Sequence, residues 1–181
     1  MVERRGAVIF DRDGVLNLDV DYGYRPDQIV WMDDAAAAVR AVNAAGLFAF
    51  VATNQSGVGR GYFTAADVEA LHVWMNARLA EAGARIDAFV YSPYHPEAVI
   101  ERYRADHPSR KPGPGMILDL LARFPVDPAR TVMIGDRDTD LAAARAAGVE
   151  GLKFAGGSLL EFVRPVVARI AAGPAVTSPK S

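Results

Sequence analysis

The chain has 181 residues, 51% of them hydrophobic, which suits one domain with a sizeable core. Its net charge is −2 and no basic run stands out, which argues against a nucleic-acid partner. It has no cysteine, which excludes disulfides and thiolate metal sites. With no visible leader or membrane-spanning apolar run, we expect a monomeric cytoplasmic protein without membrane contact.

Strand-like and helix-like segments alternate along the chain. In order, we predict strand 6–10, helix 34–45, strand 47–52, helix 64–82, strand 86–91, helix 114–124, strand 131–134, helix 138–147, strand 149–154 and helix 159–171. This alternation predicts an α/β fold in which a mainly parallel sheet lies between two helical layers. We expect a single domain over 1–172. The tail over 173–181 is rich in Pro, Ser and Thr, and we expect it to be disordered.

Two long segments, residues 17–32 and 92–113, interrupt the alternation. Both follow strands at the sheet edge where open α/β folds bind their ligands. Long loops at such a place are usually functional. Neither segment is long enough to form a lid domain, so we expect an open site without a large cap.

Four polar clusters follow the predicted strands in order. They read Asp11-Arg12-Asp13-Gly14, Thr53-Asn54-Gln55-Ser56-Gly57, Arg110-Lys111-Pro112 and Gly135-Asp136-Arg137-Asp138-Thr139-Asp140. Each one alone is more typical of a turn, a helix cap or a solvated patch. All four on one predicted edge instead indicate a site for phosphoryl transfer, because their chemistries are complementary.

Phosphoryl transfer needs a nucleophile, a cation and donors for the phosphoryl oxygens. Asp11 can attack phosphorus and become a phosphoaspartate, while Asp13 protonates the leaving oxygen and later deprotonates water. Thr53 offers a hydroxyl and the backbone amides that follow it, and Lys111 offers a compact positive charge. Asp136 can complete a Mg²⁺ site with Asp11.

The clusters resemble the four motifs of the haloacid dehalogenase (HAD) superfamily of phosphatases, and the resemblance covers about residues 7–154. The longer strings 10–14, 53–57, 60–64 and 110–116 are similar to one branch of it. That branch contains the D-glycero-D-manno-heptose 1,7-bisphosphate 7-phosphatases and the histidinol-phosphate phosphatases. The resemblance implies a Rossmann-like, three-layer HAD fold and a Mg²⁺-dependent phosphatase that acts through a phosphoaspartate.

The resemblance also implies a role for each matched residue. Asp11 matches the nucleophile, and Asp136 matches the metal carboxylate. Asp13 matches the general acid/base, and its backbone carbonyl matches a further metal ligand. Thr53 and Lys111 match the residues that stabilise the transferring phosphoryl group. The positions matched to substrate contacts are Asp19, Val20, Asp21, Tyr22, Thr53, Asn54, Gln55, Ser56, Arg110, Lys111 and Arg137.

The chain departs from the branch at Arg137 and at the positions that bind zinc in other members. Arg137 stands where heptose phosphatases usually carry a lysine, which keeps the charge and changes its geometry. Asp140 is expected to cap and order the fourth cluster rather than to bind metal. Many members hold a structural zinc in the loop before Arg-Lys-Pro, through a Cys-x-His and Cys-x-Cys pattern. The corresponding residues here are Ser92, Tyr94, His107 and Ser109.

We therefore expect no zinc. His95 lies near His107 in sequence, but two histidines without a third ligand make a poor closed tetrahedral site. The prolines of the loop lower the entropy cost of ordering it. We expect Tyr94 and Tyr103 to pack the loop onto the body of the protein.

The leading hypothesis for the substrate is a heptose 1,7-bisphosphate that loses its C7 phosphate. The alternative within the same branch is histidinol phosphate, and the two long loops should decide between them. A 3′-phosphate on nucleic acid is disfavoured by the acidic net charge. A phosphosugar-binding protein without catalysis is disfavoured because all five catalytic and metal positions carry the expected residues.

Overall fold

A computed structural model of the chain describes residues 3–173. The strands are β1 (Arg5–Phe10), β2 (Phe48–Asn54), β3 (Ala88–Ser92), β4 (Val126–Gly135) and β5 (Glu150–Lys153). The helices are α1 (Ala35–Ala44), α2 (Ala65–Glu81), α3 (Gly115–Arg123), α4 (Asp138–Ala146) and α5 (Leu159–Ala171). The tail predicted to be disordered lies outside the described residues, apart from its first residue.

The five strands form one parallel sheet in the order β3-β2-β1-β4-β5. Phe10, the last residue of β1, pairs with Val51 of β2 on one side and with Ile134 of β4 on the other. The chain adds β2 and β3 to one side of β1 and then crosses over to add β4 and β5. This reversal places a switch point between β1 and β4, where α/β sheets bind ligands at their carboxyl edge.

The two faces of β1 carry the two halves of the core. Ala7 and Ile9 pack towards α3 and α4, whereas Val8 and Phe10 pack towards α1 and α5. All four side chains are fully buried. Complete burial of a large apolar side chain contributes about 1.5–3 kcal/mol, so a strand buried on both faces favours this arrangement. The predicted three-layer α/β fold is confirmed.

The main difference from the predicted elements is β4, which begins at Val126 instead of 131. The early part of the strand contains polar residues and Pro128, which hide it from a pattern of apolar residues. Its pairing with β1 shifts register between Arg5 and Ala7, and this irregularity accommodates the extra residues. Among residues 3–173, no helix combines the length and apolarity required to cross a membrane.

The first loop (residues 17–32) folds back on itself above the end of β1. The amide of Leu18 donates to the carbonyl of Val30 over 2.8 Å, and a 3₁₀ turn spans Pro26–Gln28. At its tip Asp21 and Tyr22 adopt left-handed backbone angles, with φ of 49° and 59°. Such angles are uncommon for residues other than glycine, and they cluster at functional sites.

The second loop (residues 92–113) contains a 3₁₀ turn at Glu101–Tyr103. The amide of His95 donates to the carbonyl of Tyr103 over 3.1 Å, and the amide of Ile100 donates to the carbonyl of Gly59 over 3.0 Å. Backbone hydrogen bonds therefore join this loop both to itself and to the segment after β2.

Candidate active site

The carboxyl ends of the central strands surround a pocket of about 340 Å³. Except for Val20 and Asp136, the predicted site residues line it, and Asp138, Thr139 and Asp140 line it as well. Val20 lies on the first loop and is 38% exposed. Asp136 directly follows β4, and its carboxylate lies beside that of Asp11. The fold thus brings together residues that the sequence spreads over 130 positions.

Asp11 follows β1 and is buried at the bottom of the pocket. Its Oδ1 accepts a hydrogen bond from the amide of Arg12 over 2.8 Å and lies 2.9 Å from Lys111 Nζ. Burial raises the pKa of Asp11 to about 7, although the charge of Lys111 opposes this rise. Both contacts fall on one oxygen, which leaves Oδ2 as the atom that can attack phosphorus.

Lys111 is buried between two carboxylates. Its Nζ lies 2.9 Å from Asp11 Oδ1, 2.6 Å from Asp140 Oδ1 and 2.9 Å from the carbonyl of Ala52. Burial alone would lower the pKa of Lys111, but the two carboxylates outweigh burial and raise it. The ammonium is therefore a fixed positive charge beside Asp11.

Asp140 has a second contact besides Lys111. Its Oδ2 accepts from the amide of Arg137 over 3.0 Å, so it caps α4 as expected. A side chain at Gly135 would collide with Asp140, so the glycine makes room for this carboxylate. The ion pair with Lys111 joins two distant parts of the chain, and no local sequence pattern indicates it.

The pocket fits a hard divalent cation next to Asp11. Oxygens of Asp11, Asp136 and Asp140 all lie within 4.8 Å of one another. Asp136 Oδ1 is buried and has no hydrogen-bond partner among residues 3–173, and burial raises the pKa of Asp136. Lys111 and the amide of Arg137 engage both oxygens of Asp140, whereas the contacts of Asp11 all fall on Oδ1, so Asp11 and Asp136 are the carboxylates with an oxygen available to a cation. A side chain at Gly14 would collide with Asp136, which explains the glycine there.

Asp13 is held by three side chains on the other side of the pocket. Arg12 reaches it through Nε and Nη2 over 3.1 and 3.0 Å, Asn17 Nδ2 over 2.9 Å and Gln55 Nε2 over 3.0 Å. Its side chain remains 22% exposed. Asp13 thus stays in contact with solvent and does not touch Lys111. Its environment therefore differs from that of Asp11, which is buried and paired with Lys111.

Arg12 belongs to the site through its contacts, although its position in the first cluster alone does not assign it a role. Its side chain is 1% exposed, and it also donates to the carbonyl of Gly23 over 2.8 Å. Its Nη1 lies 3.3 Å from His72 Nε2. Burial lowers the pKa of His72 to about 3, so a neutral imidazole accepts this hydrogen bond. Arg12 therefore links Asp13 to the first loop and to α2. The sequence signal for these contacts is an arginine placed two residues after the last apolar residue of β1.

Thr53 and Asn54 differ in their contacts although they are neighbours. Thr53 Oγ1 accepts from Gln55 Nε2 over 2.9 Å and is buried at the pocket. Asn54 accepts from the amide of Lys111 over 3.0 Å and donates to the carbonyl of Lys111 over 3.1 Å. Asn54 thus clamps the backbone of Lys111, a pairing across 57 positions that no local pattern reveals.

The rim of the pocket carries two guanidinium groups. Arg137 Nη2 lies 2.7 Å from Asp19 Oδ2 and joins the first loop to the start of α4. Arg110 Nη1 donates to the carbonyl of Tyr94 over 3.2 Å. Tyr22, at the tip of the first loop, packs edge-on against Tyr62 with ring centroids 4.9 Å apart. The rim therefore combines guanidinium groups and aromatic surface with the carboxylates of Asp19 and Asp21.

Comparison with known proteins agrees with this arrangement. A family model described as HAD-hydrolase-like matches residues 108–160. The chain is 48% identical over 164 residues to a D-glycero-β-D-manno-heptose-1,7-bisphosphate 7-phosphatase of Rhodopseudomonas palustris, and the match covers 91% of each protein.

Two solved structures share the fold. One is a protein of Mesorhizobium loti described as a HAD-like phosphatase, with a TM-score of 0.85, 31% identity and coverage of 92% of this chain and 88% of that one. The other is the D,D-heptose 1,7-bisphosphate phosphatase of B. bronchiseptica, complexed with magnesium and phosphate. Its TM-score is 0.74, with 34% identity and coverage of 90% and 86%. The chain therefore belongs to the HAD superfamily, in the family of heptose bisphosphate phosphatases, and is a phosphoric monoester hydrolase.

Proposed function

We propose that the chain removes the C7 phosphate of D-glycero-D-manno-heptose 1,7-bisphosphate through a phosphoaspartate on Asp11. The observation that carries the proposal is the pairing of a buried Asp11 with Lys111 at the bottom of an open pocket. The relative from R. palustris is named for this activity and is similar over nearly its whole length. Asp11 and Asp13 lie in different environments, as two carboxylates with separate tasks require.

In the first step, Asp11 Oδ2 forms a bond to phosphorus as the bond from phosphorus to the sugar oxygen breaks. Protonated Asp13 gives its proton to that oxygen, and the sugar leaves as an alcohol. Lys111 and Thr53 donate to the phosphoryl oxygens, where negative charge develops. In the second step, Asp13 takes a proton from water, whose oxygen attacks phosphorus and releases phosphate from Asp11.

We propose that Asp11, Asp136 and the backbone carbonyl of Asp13 hold Mg²⁺. The unpartnered oxygen of Asp136 supports this assignment, as does the excess of carboxylates over the single charge of Lys111. When bound, the cation offsets the repulsion between an anionic carboxylate and an anionic phosphate.

The two rim arginines favour a second anionic group on the substrate. A heptose bisphosphate carries such a group, the phosphate at C1. Guanidinium groups bind phosphates through charge and paired hydrogen bonds. Histidinol phosphate carries an ammonium group instead, which Arg110 and Arg137 would repel. Because Asp19 and Asp21 line the same pocket, the preference for the sugar bisphosphate rests on Arg110, which contacts the carbonyl of Tyr94, and on release of Arg137 from Asp19.

The decisive experiment compares kcat/KM for both anomers of the heptose bisphosphate, a heptose monophosphate and histidinol phosphate. We expect a bisphosphate to be the best substrate by about tenfold or more, because it alone engages the rim arginines. Asp11→Asn is the control, since it keeps the shape of the site and removes the nucleophile. Faster turnover of histidinol phosphate, or undiminished turnover by Asp11→Asn, would contradict the proposal.

We further propose that the enzyme acts as a monomer in the cytoplasm, without a nucleic-acid or membrane partner. A chain without cysteine suits a reducing compartment, and the acidic net charge gives no electrostatic support for nucleic-acid binding. Light scattering at the concentration used for kinetics tests the oligomeric state. A dimer that loses activity on dilution would contradict the monomer.

A further inference from the structure

Four side chains of the second loop meet at its base and form what we call the loop-base cluster: Ser92, Tyr94, His107 and Ser109. Ser109 Oγ lies 3.0 Å from Ser92 Oγ and 2.8 Å from His107 Nδ1. The ring of Tyr94 stacks on His107, with centroids 3.9 Å apart and planes inclined by 7°. Ser92 lies at the start of the loop and is completely buried, and His107 and Ser109 lie near its end. The cluster therefore fixes both ends of the loop to the body of the protein.

These four positions match the zinc ligands of many members of the branch, but the residues present do not fit zinc. The amide of Ser109 donates to His107 Nδ1 over 3.1 Å, so that nitrogen is already engaged within the cluster. Serine hydroxyls replace two of the thiolates, and the ring of Tyr94 covers one face of His107. A closed zinc site needs four nitrogen, sulfur or carboxylate ligands, which the cluster lacks.

The cluster is connected to the pocket through its backbone. The carbonyl of Tyr94 accepts from Arg110 Nη1 over 3.2 Å, and the carbonyl of His107 accepts from the amide of Arg110 over 2.9 Å. Arg110 is therefore fixed at both its backbone and its guanidinium group by residues of the cluster. Lys111, by contrast, is held independently by Asn54 and by the two buried carboxylates.

We propose that the loop-base cluster is a metal-free positioning site that holds Arg110 at the rim of the pocket. Stacking between Tyr94 and His107 and the hydrogen bonds of Ser109 order the loop where relatives use zinc. The role of Arg110 as a contact for the second phosphate rests on the proposed function. Because Lys111 has its own anchors, loss of the cluster weakens substrate binding and leaves the chemical step nearly intact.

The kinetic test uses His107→Leu, which removes both the ring and the acceptor of the cluster. We expect KM for the heptose bisphosphate to rise about tenfold and kcat to change less than about threefold. Tyr94→Phe is the matched control, because it keeps the ring and the carbonyl, and it should match wild type. If His107→Leu fails to fold, Tyr94→Leu removes the stacking alone and carries the same test. An unchanged KM, or a loss confined to kcat, would overturn the proposal.

Hydrogen exchange provides a readout that needs no substrate. We expect the amides of 92–113 to exchange equally slowly with and without a zinc chelator, and about tenfold faster in His107→Leu. Peptides from β1 should not change. Stoichiometric zinc in the purified protein, or faster exchange of wild type with chelator, would overturn the proposal. If wild type fails to hydrolyse heptose bisphosphate while these exchange results hold, the proposed substrate is wrong and the metal-free loop stands.

Discussion

The floor of the pocket and the rim above it both carry ion pairs, but the pairs lie in different environments. On the floor, Lys111 and Asp140 are 3% and 1% exposed, and their charged atoms lie 2.6 Å apart. On the rim, Arg137 and Asp19 lie 2.7 Å apart but are 65% and 33% exposed. Similar distances thus accompany very different degrees of burial.

The comparison explains how one pocket can divide its tasks. Buried charges interact strongly because the surroundings screen them little, and their position does not change when substrate arrives. Exposed pairs are screened, contribute little to stability and can exchange a protein partner for a ligand. We infer that the floor performs the chemistry, whereas the rim selects the substrate. Four predictions test this division.

The largest effect is expected from Lys111→Met. Loss of the ammonium should lower kcat about 10²–10³-fold for an aryl phosphate and a sugar bisphosphate alike, because both use the floor. It also leaves two buried carboxylates without their cation, which should reduce the free energy of unfolding by about 3–5 kcal/mol. Steady-state kinetics and urea denaturation measure the two effects.

The matched control for this prediction is Lys153→Met. Lys153 pairs with Asp138 on the surface, where both side chains are at least half exposed. Its replacement should leave kcat and the urea midpoint near their wild-type values. Equal losses in the two variants would mean that burial does not distinguish the floor.

The next effect concerns Asp13→Asn, which should slow the release of a poor leaving group more than that of a good one. We expect kcat to fall about 10³-fold with a sugar phosphate and much less with an activated aryl phosphate, whose leaving group needs no proton. Paired measurements on the two substrates check this. Equal losses would show that Asp13 serves the structure of the pocket rather than proton transfer.

A smaller effect is expected at the rim. Arg137→Ala should raise KM for the bisphosphate about tenfold and leave KM for a monophosphate nearly unchanged, because only the former carries a second anionic group. Arg137→Lys keeps the charge and should recover most of the affinity. A fall in kcat without a change in KM would place Arg137 with the floor residues.

The last prediction is a dependence of stability on pH in the metal-free protein. The pKa of Asp11 is raised to about 7, so the folded protein holds a proton that the unfolded chain releases near pH 4. This contribution to stability is present at low pH and is lost as the pH rises from about 4 through about 7. The measurement compares the thermal unfolding of wild type and Asp11→Asn in the presence of a chelator at several pH values. The stability of wild type relative to Asp11→Asn should fall as the pH rises, and an increase would contradict the prediction.

Much of the fold and of the candidate site could be predicted from sequence because the signals are local. Alternating apolar runs and helix caps depend on neighbours a few residues apart, and the five strands were recognised from them. The apolar pattern does not predict the start of β4, because the strand begins before its apolar run and pairs there with β1 across a register shift. The motif residues Asp11, Asp13, Thr53 and Lys111 were found because each follows or precedes an element.

The sequence by itself determined which chemical groups stand at the edge of the sheet: two carboxylates, a lysine and a further aspartate after β4. Only the tertiary structure decided how these groups pair. The clamp of Asn54 on Lys111 joins positions far apart in the chain, as does the contact of Arg12 with His72. Such pairs follow from strand order and from the packing of α2, and these depend on long-range contacts. The division between a buried floor and an exposed rim arises in the same way, because burial is a property of the folded chain.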